Sequence, residues 1–148
     1  MAFRPYLFFG GNCREALTRY QEIFGGELTL LSMKDVPGGD QAPADQADSI
    51  IHAAIVIGDD VLMASDDPVD DPFGPVQGMM VSYDAPDLAD ANRVFDALSE
   101  GGEVTQKLEP TFFSEAFGMC TDRFGTPWMI VGPQPAQTSC RARRARTT

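Results

Sequence analysis

One stretch of the sequence decides the fold: Pro5-Tyr6-Leu7-Phe8-Phe9-Gly10-Gly11-Asn12-Cys13-Arg14-Glu15-Ala16-Leu17. It begins as a short aromatic strand over 5–9 and turns at once into a helix. Asn12, with Glu15 three residues later, is a variant of the capping box and predicts where that helix begins. Gly25-Gly26 predicts its end, because glycine readily takes a left-handed conformation. Between these ends, the apolar residues share one helical face: Ala16, Leu17, Tyr20, Ile23 and Phe24.

The rest of the first half predicts three further strands. They are expected over 27–34, 49–57 and 61–65, the last two joined as a hairpin by Gly58-Asp59-Asp60. A polar loop rich in glycine and proline is expected over 35–48. The run 66–71 contains four aspartates; a calcium loop and a solvated loop are both compatible with it, and the missing EF-hand spacing favours the solvated loop.

The second half repeats this order. A helix capped by Asp87 and ended by Gly101-Gly102 is predicted, with strands over 78–83, from 103 onward, over 116–121 and over 126–131. Each half thus consists of strand, helix, strand, strand, strand, which argues for duplication into two βαβββ modules of an α+β protein. The modules are placed at 1–76 and 77–135, followed by an Arg-rich flexible tail over 136–148.

Length and charge restrict the class of protein. The 148 residues, 43% hydrophobic and 22% charged, are typical of a globular chain. No apolar run approaches the ~18–20 residues that span a bilayer, so no membrane partner is expected. A net charge of −11 argues against nucleic acid, because an acidic surface repels phosphates. Three cysteines without a C-x-x-C spacing predict neither a disulfide framework nor a zinc site, and favour a reducing, cytoplasmic location.

The chain has one histidine, His52, which excludes a zinc site built on paired histidines. Any acid–base catalysis by imidazole would have to use it, so it is the one candidate catalytic residue. Two interpretations remain open: a histidine lining a pocket, and a structural histidine satisfied by a neighbouring carbonyl or carboxylate. Cys13 likewise admits two interpretations, a small buried residue or a thiol whose pKa is lowered by the helix N-terminus, and the first is favoured.

Four segments together resemble PhnB-like proteins of the glyoxalase/bleomycin-resistance (vicinal oxygen chelate) superfamily. They are the opening stretch 5–17 with its helix end, Ile51-His52-Ala53, Met63-Ala64-Ser65-Asp66, and Phe117-Gly118-Met119-Cys120-Thr121-Asp122-Arg123-Phe124-Gly125-Thr126-Pro127-Trp128. The resemblance implies that the two modules form a cupped, barrel-like mixed sheet around a cavity, and that the protein is a homodimer. The sequence departs from the family at Phe113, where relatives commonly have tryptophan.

Metalloenzymes of this superfamily hold one divalent ion inside the cup. Their ligand positions fall near Pro5, Met63, Gly78 and Met129, and Gln77 is the only oxygen donor within reach. Divalent ions of this kind prefer carboxylate, imidazole or water, so neither a metal nor another cofactor is expected.

The alternation of strand residues predicts which side chains line the cavity. With Met63 and Met129 pointing inward, Leu62 and Trp128 should pack under the helices; a slip of one residue would exchange the two sets. The predicted ligand pocket comprises Leu7, Phe9, His52, Met63, Ser65, Met80, Ser82, Phe113, Met119 and Met129.

These features predict a metal-independent protein that binds a small neutral or cationic ligand, because the fold has few cations to hold an anion. Two alternatives are sequestration of a bleomycin-like antibiotic and a metal-dependent lyase, isomerase or dioxygenase. Methyl transfer is not expected, since it usually relies on a glycine-rich turn in a doubly wound sheet.

Overall fold

The computed structural model describes residues 1–67 and 74–136. The first module contains five elements: β1 (Tyr6–Phe9), α1 (Cys13–Phe24), β2 (Glu27–Ser32), β3 (Ile50–Ile57) and β4 (Asp60–Asp66). Its four strands form one sheet in the order β1-β4-β3-β2, with β1 parallel to β4 and the other pairs antiparallel. Two short 3₁₀ turns, Met33–Asp35 and Gly39–Gln41, lie in the connection before β3.

The second module repeats this topology. Its elements are β5 (Val81–Asp84), α2 (Leu88–Ser99), β6 (Glu103–Glu109), β7 (Phe117–Thr121) and β8 (Pro127–Val131), and its sheet has the order β5-β8-β7-β6. The predicted α+β class and the duplicated element order are therefore confirmed, and the two mixed sheets are cupped without closing into a barrel. β5 begins later than the predicted residue 78, because Gly78 adopts a left-handed turn with φ of 73°.

Each sheet has a helix side and an open face. In the first sheet, Tyr6 lies beside Met63, which lies beside Ala54, so these side chains share one face. The alternate residues carry the core under the helix, with Ala53, Ile55 and Ala64 buried. We call the other side the open face; on the first sheet it carries Tyr6, Phe8, His52, Met63 and Ser65, and on the second sheet Ser82, Phe117, Met119, Met129 and Val131.

Helix α1 joins the two modules. Tyr20 lies edge-on to Trp128 of β8 with ring centroids 5.2 Å apart, and Phe24 contacts Tyr83 of β5 at 4.9 Å. Arg93 of α2 donates a 2.6 Å hydrogen bond to the carbonyl of Ile23. Both modules therefore share one core around α1, and the prediction that Trp128 packs under a helix is confirmed.

The capping box expected at the N-terminus of α1 is wrong. The Asn12 side chain makes no capping hydrogen bond. Instead, Asp66 Oδ1 at the end of β4 accepts from the backbone N–H groups of Gly11 and Cys13 at 3.0 and 2.9 Å, and its Oδ2 accepts from Ile50 N at 2.9 Å. Asp66 was expected in a solvated loop, but a carboxylate that accepts three backbone donors can be buried.

Two other predictions about helix ends are confirmed. Asp87 caps α2 by accepting from Asp90 N, and Gly25 ends α1 with φ of 76°. The possible calcium run over 66–71 lies, after Asp67, outside the described residues, as does the predicted Arg-rich tail after Ala136. No helix within the described ranges is long and apolar enough to cross a membrane.

Candidate functional site

The candidate site is built around Tyr6 and His52 on the open face of the first sheet. Tyr6 belongs to β1 and His52 to β3, and β4 separates the two strands. Their side chains meet across β4, with the Tyr6 hydroxyl 3.4 Å from His52 Nδ1 and the rings 5.9 Å apart. A phenol hydroxyl beside an imidazole forms a polar pair that can exchange hydrogen bonds with a ligand.

The surroundings of His52 differ from those that the structural interpretation expects. His52 is half-buried on the open face, so it is not a core histidine, and its partner is a tyrosine rather than a carbonyl or carboxylate. Nε2 makes no hydrogen bond to residues of 1–67 or 74–136. The ring therefore offers one nitrogen for an outside partner while the other is oriented by Tyr6.

Apolar side chains surround this pair. Phe8 lies 5.1 Å from Tyr6 and is 58% exposed, which is unusual for a phenylalanine. Tyr6 and Phe8 also line a groove of about 700 Å³ whose other wall contains Met79 and Met80. Met63 and Ser65 lie on β4 between Tyr6 and His52 and form the floor below them.

The open face of the second sheet carries the remaining predicted residues. Met119 pairs with Met129 across the β7–β8 ladder, and Ser82 pairs with Met129 across the β5–β8 ladder. Phe113, in the connection before β7, contacts Phe117 of β7 and the almost fully exposed Phe112, each with ring centroids 5.1 Å apart. Within the described ranges, no aromatic contact or side-chain hydrogen bond joins this group to Tyr6 and His52.

Leu7 and Phe9 lie on the opposite face of β1 from the open-face residues, although both border the same groove as Tyr6 and Phe8. The parallel pairing of Leu7 with Ala64 puts Leu7 on the helix side, and Phe9 is buried in the core. The reason is the strict alternation of a strand: on β1 only Tyr6 and Phe8 share the face of Met63 and Ser65. The same alternation applied to β1 would have identified Tyr6, which the sequence interpretation left out.

The side chains near the family's metal positions do not fit a divalent cation. Met63 and Met129 offer thioethers, Pro5 and Gly78 offer no side-chain donor, and hard ions prefer oxygen and imidazole. His52 is the one imidazole on this face, and among the described residues no three His, Cys, Asp or Glu side chains gather into a possible ligand set.

The surroundings of Cys13 and Asp122 indicate that both side chains stabilise the fold. Burial, followed by the nearby Asp66 charge, raises the pKa of the Cys13 thiol to about 12, opposite to a thiol activated at a helix N-terminus. Asp122 forms no ion pair with Arg123. It accepts hydrogen bonds from Tyr20, from Trp128 Nε1 at 2.8 Å and from two backbone N–H groups of its own turn.

Comparison with known proteins agrees with this fold. A family model described as 3-demethylubiquinone-9 3-methyltransferase matches residues 1–131. Protein YjdN of Escherichia coli (strain K12) is 33% identical over 149 residues, which cover 93% of this chain and 100% of that protein.

Solved structures extend the comparison. Protein PA1353 from Pseudomonas aeruginosa has a TM-score of 0.81 at 43% identity, with 91% of this chain and 99% of that chain covered. A PhnB protein from Bacillus cereus has a TM-score of 0.71 at 20% identity, with 90% and 100% covered. A glyoxalase/bleomycin resistance protein/dioxygenase family enzyme from Burkholderia phytofirmans PsJN has a TM-score of 0.59 at 12% identity, with 88% and 98% covered. The last two similarities concern the fold alone.

Proposed function

Because this chain belongs to the family described as 3-demethylubiquinone-9 3-methyltransferase, the PhnB-like branch of the glyoxalase/bleomycin-resistance superfamily, we propose that it binds a small neutral or cationic molecule on its open face without a metal ion. The observation that carries this proposal is the Tyr6–His52 pair, a polar group set in an apolar, exposed surface. A few placed polar groups within an apolar lining are what small-molecule sites have in common.

The charge distribution supports a ligand that is not an anion. The net charge is −11, and four basic side chains already contact carboxylates: Arg19, Lys34, Arg93 and Arg123. The Tyr6–His52 pair has no lysine or arginine among its hydrogen-bond partners within the described ranges. A phosphate or carboxylate would need clustered cations, preferably arginine, to offset its desolvation.

Metal independence rests on the donor chemistry of the face. A ligand would contact the thioethers of Met63 and Met129, a hydroxyl of Ser65 or Ser82, and His52. These groups suit an uncharged or cationic organic molecule, since thioethers pack against apolar surface and cannot replace the oxygen shell of a hard ion.

A homodimer would complete the site. The open faces carry Phe8 at 58% and Phe113 at 42% exposure, and these rings form parts of larger apolar groups on separate sheets. Apolar patches of this kind usually mark an association surface or a ligand groove. We propose that the first sheet of one protomer and the second sheet of another enclose the ligand between them.

Methyl transfer, which the family description names, is not part of the proposal. Both sheets have the order of a βαβββ module and carry their helix on one side. A doubly wound parallel sheet, with helices on both faces, is the usual adenosylmethionine scaffold.

The test uses Nile red, an uncharged dye whose fluorescence rises in apolar surroundings. We expect saturable binding to protein that contains less than about one-tenth equivalent of metal by elemental mass spectrometry. Tyr6→Phe and His52→Ala should each weaken binding about 3- to 10-fold, because each removes a hydrogen-bonding group at the site. Gln46→Lys, in an exposed loop, is the control and should leave binding unchanged. Stoichiometric bound metal, or equal affinity of all variants, would overturn the proposal.

A further inference from the structure

We infer that the chain has a second small-molecule site, on the helix side between the two modules, which accepts a flat aromatic cation. It is a crevice of about 390 Å³, within the size range of small-molecule pockets. Its floor is made of Phe24, Tyr83 and Trp128, and its walls include Leu62 and Val81. Leu62 lies on the helix side of β4, opposite to Met63, and the crevice reaches the edge of the open face only where Val61, Ser82 and Asp84 border it.

The floor consists of aromatic rings, of which Phe24 and Tyr83 are partly exposed and Trp128 is 2% exposed. Phe24 lies 4.9 Å from Tyr83 and 5.3 Å from Trp128, so the three rings form one aromatic surface. The polar atoms of this surface already have partners, since Trp128 Nε1 donates to Asp122 at 2.8 Å and the Tyr83 hydroxyl donates to Asp90 at 2.7 Å. A ligand therefore meets aromatic surface, which favours a flat aromatic body packed against it.

The mouth of the crevice is acidic. Asp59, Asp60 and Asp84 line it and are exposed, whereas Arg4 is the only basic side chain that the described residues contribute to its lining. Aromatic ring faces also attract cations through their quadrupole. Floor and mouth thus favour the same class of ligand: an aromatic or heteroaromatic ring system that carries an ammonium or amidinium group.

The chain offers an internal reporter for this site. Trp128 is the single tryptophan, and it lies in the floor of the crevice. We expect thioflavin T, a flat aromatic cation, to bind saturably to the full chain and to quench Trp128 fluorescence. The aromatic anion 1-anilinonaphthalene-8-sulfonate should quench it at least about 10-fold less strongly at equal concentration.

Paired variants locate the site. Leu62→Phe fills the crevice and should weaken thioflavin T binding at least about 10-fold. The control Val104→Phe changes an exposed residue of β6 outside the crevice and should alter binding less than about 2-fold. The double variant Asp59→Asn/Asp84→Asn leaves the core intact and should weaken binding about 3- to 10-fold, because it removes two charges at the mouth. The control Asp40→Asn/Asp45→Asn removes two exposed charges elsewhere and should have no effect.

The variants that test the crevice leave Tyr6 and His52 unchanged, so failure of the second site and failure of the open-face proposal are distinguishable. Absence of saturable quenching, or a loss in Val104→Phe as large as in Leu62→Phe, would overturn the second site. Equal effects of the two charge variants would overturn the cationic specificity. If Leu62→Phe lowers the melting temperature too far for titration, the comparison of the two charge variants decides whether the cation binds at this mouth.

Discussion

Tyr20 and Asp122 are hydrogen-bonded in the core although 102 residues separate them in the sequence. Tyr20 lies on α1 of the first module, and Asp122 lies in the turn between β7 and β8 of the second. Burial, followed by the Asp122 charge and hydrogen bond, raises the pKa of Tyr20, so the phenol remains a donor at every physiological pH. This bond links the two modules and fixes the turn that leads into β8.

Removing that donor should weaken the whole fold. Tyr20→Phe keeps the ring contact with Trp128 but takes one hydrogen bond from a buried carboxylate, so we expect a loss of about 1–3 kcal/mol in the free energy of unfolding. Urea denaturation measures it. Tyr83→Phe is the control, because its partner Asp90 is less buried, and it should cost under about 1 kcal/mol. A cost for Tyr20→Phe no larger than the control would argue against the link.

The capping of α1 by Asp66 leads to a second prediction. Asp66→Ala removes the acceptor for Gly11 N, Cys13 N and Ile50 N, and we expect it to cost about 2–3 kcal/mol. Asn12→Ala should cost under about 0.5 kcal/mol, because its side chain makes no capping bond. Denaturant midpoints of the two variants compare them directly. If Asn12→Ala cost more stability than Asp66→Ala, the capping box expected from the sequence would be supported instead.

Alkaline pH should destabilise the protein partly through Cys13. Its folded pKa is about 12, whereas the unfolded thiol ionises near its ordinary value of 9.0. The unfolded state therefore loses its proton first, and this contribution to stability is complete below pH 9 and is lost as pH rises toward 12. The expected slope for this group is about −1.4 kcal/mol per pH unit. Urea unfolding at about pH 8 to 10.5 should show a shallower slope for Cys13→Ala; parallel slopes would contradict the assignment.

The proposed dimer can be tested by introducing a charged residue on the open face. Sedimentation equilibrium should give a mass twice the 16.1 kDa of the chain. Phe8→Asp introduces a charge into the proposed interface and should raise the dimer dissociation constant at least about 10-fold, because an unpaired buried carboxylate is costly. Leu88→Asp, which changes an exposed apolar residue on α2, is the control. A monomeric wild type, or equal effects of both variants, would refute the arrangement.

The sequence predicted the elements better than the long-range contacts. Strand alternation placed Leu62 and Trp128 correctly on the helix side, because the period of a strand is a local property. The capping of α1 by Asp66 could not be predicted from the neighbouring residues. The acceptor comes from the end of β4, far from Asn12 in the sequence. For the same reason, the Tyr6–His52 pair could not be inferred from single strands: it forms across β4, and only the sheet order brings β1 and β3 to either side of it.

The most direct measurement is the Nile red dissociation constant of EDTA-dialysed protein, determined for the wild type beside Met63→Lys. Met63 lies on the floor between Tyr6 and His52, so a lysine there places an ammonium group in the proposed site. We predict that dialysis changes the wild-type constant less than about 2-fold and that Met63→Lys raises it at least about 10-fold. Loss of binding on dialysis, or unchanged binding by Met63→Lys, would contradict a metal-independent site on the open face.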